Sequence, residues 1–534
     1  MDVTRSTTPV IVTASAVHAQ YGVPVEAFAV AGEWIVAAGA LAELRERFPR
    51  AEIHDFGGAT IVPGFNDAHI HLGMTAEDLL HLDLSAASVG SSEGLLRKVA
   101  AEAAGSGSWV RGARYDDAKT GRITRAQLDA AAGDVPVIIT HIAAHWGVAN
   151  SAALRALGYR DDSVAPPGGQ LGRAADGTLD GRLIERALLD VLYPATGRSD
   201  SPIMPSTLDD RLTGLRRAVR RWHAAGLTSV CDALVAPSDL ELLSAARRSG
   251  ELTVRTGMLL AVDHYHKAKA LGIGSGFGDD TLKMIGVKGF VDGAIGGRTC
   301  LLSEPFTGTA DHGLQITGTG ELAEQIAAVH ADGNTMAVHA NGDAAIRLLL
   351  DCFEEVARKN PKPGPRHRIE HCSLVDDEIV ARIKALDAIA VPFAGYPAYH
   401  GGALRSWYGD ERVERMFAHR TLLDAGITVA GSSDFPCGPY EPLLGIQSMV
   451  TRMGADDGVV VGASQRITAK EALMVYTTGS AAACGDEHRK GRLAPGFLAD
   501  FVVLGDDPLA AEPERIAGIP VSHTYVGGRR VWSA

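Results

Sequence analysis

His69 and His71 stand two residues apart at the end of an apolar run, Ala59-Thr-Ile-Val-Pro-Gly-Phe-Asn-Asp-Ala-His-Ile-His-Leu72. A strand alternates its side chains, so both imidazoles point to one face. Two neutral imidazoles on one face are half of a metal site. A chain with 19 histidines in 534 residues holds about one His-x-His by chance. A second one, His264-Tyr-His266, is present. The first pair therefore also fits loop or core histidines, and other ligands must decide. Its context favours it: a β-branched strand, a Pro63-Gly64 break and small neighbours. His264 and His266 read as exposed or structural.

Lys288, His339, His371 and Asp434 follow or end other apolar stretches. Taken singly, each has an ordinary explanation. His339 or His371 fits a hydrogen-bonded core histidine, and Lys288 an edge or surface lysine. Asp434, in Ala-Gly-Ser-Ser-Asp-Phe-Pro, fits a turn or cap. Their shared placement matters because a barrel makes neighbours of strand ends that are distant in sequence.

The elements needed to place them are legible. Short strands are predicted at Ile61-Val62, Leu227–Cys231, Leu252–Leu260, Met284–Val291, Thr335–Val338, His367–His371, Ala388–Phe393 and Ile427–Gly431, mostly separated by amphipathic helical stretches. Alternation of this kind predicts an α/β fold with a parallel sheet. Eight units fit a (β/α)8 TIM-type barrel. An open doubly wound sheet is the alternative, but no Gly-x-Gly-x-x-Gly follows the first strand. Residues 73 to about 205 are too long for one crossover. They read as an insertion over the barrel mouth with a strand of its own, Val135–Thr140, and an ordered loop at 161–181. Both chain ends are β-rich, with a C-terminal hairpin predicted around Gly527-Gly528. The expected division is residues 1–60 and 491–534 in one small β domain and 61–490 in the barrel.

Composition removes several function classes. The net charge of −13 disfavours a nucleic-acid partner. The one dense basic cluster, Arg216-Arg217 with Arg220-Arg221, reads as the solvated face of a helix. No run of 18 apolar residues exists, so no membrane span is expected. The start, Met1-Asp-Val-Thr-Arg-Ser6, lacks the pattern of a secretory signal. Six scattered cysteines without Cys-x-x-Cys read as reduced thiols, which suits the cytoplasm.

Several motifs together resemble the amidohydrolase superfamily. They are Val62-Pro-Gly-Phe-Asn-Asp-Ala-His-Ile-His71, Val338-His-Ala-Asn-Gly-Asp343, Arg368-Ile-Glu-His-Cys372, Gly431-Ser-Ser-Asp434 and the segment from Gly491 to Leu504. Lys288-Gly-Phe-Val-Asp-Gly-Ala-Ile-Gly-Gly-Arg-Thr299 and His141-Ile-Ala-Ala-His-Trp-Gly-Val-Ala-Asn-Ser151 resemble the branch that includes N-substituted formamide deformylases. The resemblance implies a metal-carrying barrel beside a small β-sandwich. Residue by residue it implies His69, His71, Lys288, His339, His371 and Asp434 as metal ligands. It allows two metals bridged by a CO2-derived carbamate on Lys288, or one metal beside an unmodified lysine. Zinc fits the donor set best, with iron, manganese or cobalt also compatible. Relatives of this kind are often homodimers.

The implied reaction is hydrolysis of a non-peptide amide C–N bond by metal-activated hydroxide, with Asp434 as proton acceptor and donor. A deaminase or cyclic-amide hydrolase of the same superfamily is the alternative. So is a metal-binding regulatory protein without turnover. Ring deaminases commonly carry a Glu three or four residues after the fifth-strand histidine. Here His339 is followed by Ala-Asn-Gly-Asp343, which favours a small-molecule amide substrate. His145, Tyr115, Trp146, Arg298 and Phe393 are the candidate substrate-binding residues, with core packing or a salt bridge as their ordinary alternatives.

Overall fold

Phe65–Ile70, buried at every position, is the first of seven parallel strands. It is followed in sheet order by Leu227–Val235, Arg255–Ala261, Leu282–Phe290, Met336–Ala340, Arg368–His371 and Ile389–Pro392. Near-continuous burial is what a parallel sheet wrapped by helices requires. The computed structural model describes residues 8–19, 24–105, 108–192, 201–203, 206–360 and 364–534. The expectations for the first six residues, and for an insertion ending near 205, fall outside the described residues.

The sheet is nearly closed. The predicted eighth strand at 427–431 does not form a regular ladder. Instead, Ala390 bridges Val429 and Phe393 bridges Ser432, both in parallel. On the other side the Ala68 N–H donates to Gly431 O at 2.9 Å and the Asp434 N–H to His69 O at 2.8 Å. The ladder breaks for a local reason. A Cβ at Gly431 would lie 2.9 Å from the Tyr476 ring, and Asp434 takes a left-handed φ of 56°.

The first barrel strand also differs from expectation. Ile61-Val62 belongs to Thr60–Pro63, which pairs with Phe501–Leu504 in a five-stranded sheet of the terminal region. The apolar run is two strands, not one. Pro63 has no N–H to continue a ladder. At Gly64 a Cβ would sit 2.2 Å from Thr228 Oγ1, so only glycine passes between the two sheets. The other terminal sheet has four strands, including Val10–Thr13 and the hairpin Ala27–Ala31/Trp34–Gly39. Phe28 and Val30 share one buried cluster with Phe501 and Tyr525 of the five-stranded sheet. The C-terminal hairpin forms as predicted, Val521–Val526 against Arg529–Ser533.

After the helix Leu72–Asp78, the chain builds a six-stranded mixed sheet before returning to the barrel. Sequence patterning showed one of these strands, Val137–His141. It missed Leu82–Asp83, Val110–Tyr115, Trp146–Ala149, Gly169–Arg173 and Leu179–Glu185. The stretch predicted as a loop at 161–181 contains part of a hairpin, with Gly169–Arg173 antiparallel to Leu179–Glu185. Its turn needs Gly177, whose φ is 86°.

The returning helix, Leu208–Ala224, is capped by the Thr207 side chain accepting from the Asp210 N–H. Its arginines 216, 217, 220 and 221 are exposed, while Trp222 is fully buried. Gly214 lets it press on Leu72–Asp78, since a Cβ there would lie 2.1 Å from Ala76 O. That contact supports the helix running directly out of His71. Among the described residues no helix is long and apolar enough to cross a membrane. The six cysteines are free and buried.

Candidate metal centre

The barrel's strand ends and the segment after residue 431 enclose a cavity of about 40 Å³. His69, His71, Lys288, His339, His371 and Asp434 all line it, and so does His145 from the inserted sheet. Ligand atoms of His69, His371 and Asp434 lie within 4.8 Å of one another. Asp434 Oδ1 is 3.2 Å from His69 Nε2 and 3.1 Å from His71 Nε2.

Backbone contacts fix this arrangement. Asp67 Oδ1 accepts from the His69 N–H at 3.1 Å and the Ser433 N–H at 3.2 Å, tying the first strand to the Asp434 turn. Burial pushes the Asp67 carboxyl up to about 7, although those hydrogen bonds pull it down. Asp292 does the same between the fourth and fifth strands. It accepts from the N–H groups of Asn341 and Gly342, each at 2.9 Å, and of Leu301 at 2.8 Å. His371 stacks on Phe393 with ring centroids 4.4 Å apart, and Phe393 stacks on Tyr396.

Hydrogen bonds also choose the tautomers. His69 Nδ1 donates to Glu370, which leaves Nε2 with its lone pair. Glu370 is held in turn by Arg368, through Nε at 2.7 Å and Nη2 at 2.9 Å. Both contacts of the His339 ring fall on Nε2, with Gly293 O at 3.0 Å and Asn341 Nδ2 at 2.9 Å, and neither engages Nδ1. Burial lowers the pKa of His69, and the Lys288 charge adds to that. Burial and neighbouring cationic groups hold His339 and His371 well below the ordinary value. A lowered pKa favours the neutral imidazole, the state that binds a cation. Asp434 is the opposite case. Burial opposes its charge, but His371, His69 and His71 outweigh it and hold the carboxyl well below its usual range.

Lys288 is 1% exposed, and its Nζ has no hydrogen-bond partner among the described residues. Burial brings it down to about 8, against the pull of Glu370 and Asp434. His69 Nε2 and His371 Nδ1 are likewise buried without partners. Orphaned polar atoms are costly in a protein interior. Three of them on one small cavity, beside an ionised carboxylate, fit a divalent cation.

The expected substrate residues divide. His145 lines the cavity, its Nδ1 donating to Glu185 at 2.7 Å, while Thr299 donates to the other Glu185 oxygen. Tyr115 does not line it. It is buried in the inserted sheet, donating to Gly121 O and accepting from the Ile123 N–H. Phe393 is spent on stacking behind His371. Trp146 and Arg298 line a separate outer pocket, where Arg298 pairs with Asp117 at 3.0 Å. His264 ends the short helical turn Val262–His264 and does not line the cavity, and His266 is exposed. Sequence reasoning passed over Glu370, Arg368, Asp67, Asp292 and Glu185. The available signal was charge inside an apolar strand, as in Arg368-Ile-Glu370, where two opposite charges must share one buried face.

A family model described as "Amidohydrolase family" matches residues 52–532. The chain belongs to this family of hydrolases. It is 30% identical to amidohydrolase YtcJ of Bacillus subtilis (strain 168), covering 92% of this chain and 93% of that one. It is 28% identical to N-substituted formamide deformylase of Arthrobacter pascens, over 94% of both chains. The structure of an uncharacterized metal-dependent hydrolase from Pyrococcus horikoshii OT3 superposes with a TM-score of 0.75 at 26% identity, covering 95% of this chain and 99% of that one.

Proposed function

We propose that this protein is a metal-dependent hydrolase of a non-peptide amide C–N bond, of the N-substituted formamide or N-acyl amine type. The observation carrying this is the set of buried, partnerless donor atoms around one small cavity with an ionised Asp434 at its edge. The likeness to a formamide deformylase supports the bond type. His69, His71, Lys288, His339, His371 and Asp434 would hold one or two divalent cations, zinc first by donor type. Such an ion, when bound, acidifies water and polarises a carbonyl.

The chain's own groups do the rest. Asp434 takes the proton of the attacking water on Oδ and delivers it to the departing nitrogen. Burial opposes a charge on His145, but Glu185 raises its pKa, and with Nδ1–H committed to that carboxylate the imidazolium offers its Nε2–H to the substrate carbonyl oxygen. Glu370 and Arg368 hold the His69 ring at its angle. We take the two terminal sheets as a β-sandwich bracing the first barrel strand.

Deamination is disfavoured by Asp343. It opens the helix Asp343–Lys359, where its carboxylate accepts from the Ser303 N–H and from Arg347 rather than facing the cavity. Assays on formamides, acylated amines, N-acyl amino acids and cyclic amides test the proposal. Release of amine and carboxylate from an acyclic amide is expected. Ammonia as the sole nitrogen product would point to a deaminase, and no turnover with metal bound would point to a regulatory protein.

The Lys288 amine, half deprotonated near pH 8 and neutral above it, can attack CO2 and lose a proton to give a carbamate. Protein equilibrated with 13C-bicarbonate should show one carbamate resonance that is absent from Lys288→Ala. Identical spectra from the two would leave the lysine unmodified.

A further inference from the structure

Glu185 ends the inserted strand Leu179–Glu185 with a fully buried carboxylate. Its two oxygens face different parts of the molecule. One accepts from His145 Nδ1 at 2.7 Å, inside the insertion. The other accepts from Thr299 Oγ1 at 2.7 Å, in the turn that follows the barrel strand of Lys288. Among the described residues His145 is the only basic partner of this carboxylate. His145 is also the one histidine on the cavity that comes from the insertion; His69, His71, His339 and His371 stand at barrel strands.

The contacts are directional. A threonine hydroxyl has one proton to give. Thr299 Oγ1 already accepts from the Ala294 N–H at 2.9 Å, so its own proton goes to Glu185. The backbone makes room for the pair, since a Cβ on Gly293 would lie 2.2 Å from Thr299 Oγ1 and 2.4 Å from Glu185 Oε1. Gly293 O lies 3.0 Å from His339 Nε2, so the same turn touches a candidate metal ligand. Glu185 holds a left-handed φ of 51°, which a non-glycine residue adopts only when its surroundings impose it. Its N–H donates back to His145 O at 2.7 Å.

For joining a sheet to a barrel, packed apolar side chains serve as well as a buried ion pair or better. What the carboxylate adds is orientation. The hydrogen bond at Nδ1 decides which imidazole nitrogen faces the cavity and fixes the plane of the ring. The ring so held lies against His339, with centroids 5.1 Å apart.

We propose that Glu185 and Thr299 are positioning residues: Thr299 anchors Glu185 to the barrel, and Glu185 holds the His145 ring with Nε2 towards the substrate carbonyl. The insertion then supplies part of the active site only while it is latched to the 293–299 turn. This rests on the amide-hydrolase function proposed above.

The test is a double-mutant cycle read in kcat, KM and metal content. His145→Ala should lower kcat by about 10²-fold with metal content unchanged. Glu185→Gln should lower kcat by about 10–100-fold, with KM and metal content near wild type. On the His145→Ala background the same substitution should change nothing further, because its effect travels through the ring. Thr299→Val should repeat the pattern more weakly, and Thr299→Ser, which keeps the hydroxyl, should match wild type. A purely structural role gives equal losses with and without His145. Full additivity in the cycle, or wild-type kcat in Glu185→Gln, would overturn the proposal while leaving amide hydrolysis intact. Should Glu185→Gln fail to fold, Thr299→Val carries the same cycle. If wild type turns over no amide, the His145 Nδ1–H proton decides separately by NMR. Identified by its absence from His145→Ala, it should resonate far downfield and move upfield in Glu185→Gln. That shift supports the placement without the amide reaction, and an unmoved resonance refutes it.

Discussion

Asp434→Asn should lower kcat by about 10³-fold while the protein keeps its fold and its metal. The magnitude is that of a lost general acid–base. The substitution is clean for two reasons. Asparagine tolerates a left-handed φ as well as aspartate does, so the 56° turn after the barrel survives. Its amide oxygen can still take the place of Oδ1, which lies 3.1 Å from His71 Nε2 and 3.2 Å from His69 Nε2. What disappears is the negative charge that three histidines stabilise against burial, and with it the capacity to take a proton. Kinetics alongside metal analysis of the same preparation reads both parts. Near-normal turnover would remove Asp434 from proton transfer.

Glu370→Gln should be the most damaging change that touches no candidate ligand atom facing the cavity. Glu370 and Arg368 are both fully buried, and the carboxylate also receives the His69 Nδ1–H. Among the described residues Arg368 has no second carboxylate. Its other contacts are neutral: Ala68 O at 2.7 Å, Ala483 O at 3.0 Å and Cys231 Sγ at 3.8 Å. Removing one member of a buried pair leaves the other charge uncompensated, at a cost of about 3–5 kcal/mol. Loss of the partner that orients a metal-binding histidine typically weakens metal affinity by about 10–100-fold. Denaturant unfolding and metal titration measure the two effects. Wild-type stability together with wild-type metal affinity would mean that the chain Arg368–Glu370–His69 is incidental.

The barrel was legible because parallel strands advertise themselves as short apolar runs between helices, and six of the eight predicted appear in the barrel close to where patterning put them. Errors fell where pattern and geometry part. At Thr60–Pro63 and Phe65–Ile70 two strands in different sheets read as one run, since hydropathy does not register a chain crossing at Gly64. At 427–434 the residues are as apolar as a strand, but Gly431 against Tyr476 and the turn at Asp434 leave bridges in place of a ladder. Most strands of the insertion were invisible, because pieces such as Arg111-Gly-Ala-Arg114 and Gly169–Arg173 lack apolar alternation, and their ladder pairing leaves no mark in hydropathy.

Among the candidate site residues, those offering a distinctive atom at a strand end were found from sequence. The residues that orient them were not. Glu370, Asp67 and Asp292 act through buried hydrogen bonds to groups far along the chain, and no local spacing encodes such a partner. Tyr115 and Phe393 were chosen for being aromatic near the mouth, and packing uses both for support.

The most direct measurement is elemental analysis of purified wild-type protein and of His69→Ala/His71→Ala, each before and after chelation and readdition of zinc, with amide hydrolysis assayed in parallel. Wild type should carry one or two equivalents of divalent metal, lose activity when stripped and regain it on reloading, while the double variant carries little and stays inactive. A metal-free wild type indifferent to chelators, or a double variant that binds and turns over as well as the parent, would contradict the account.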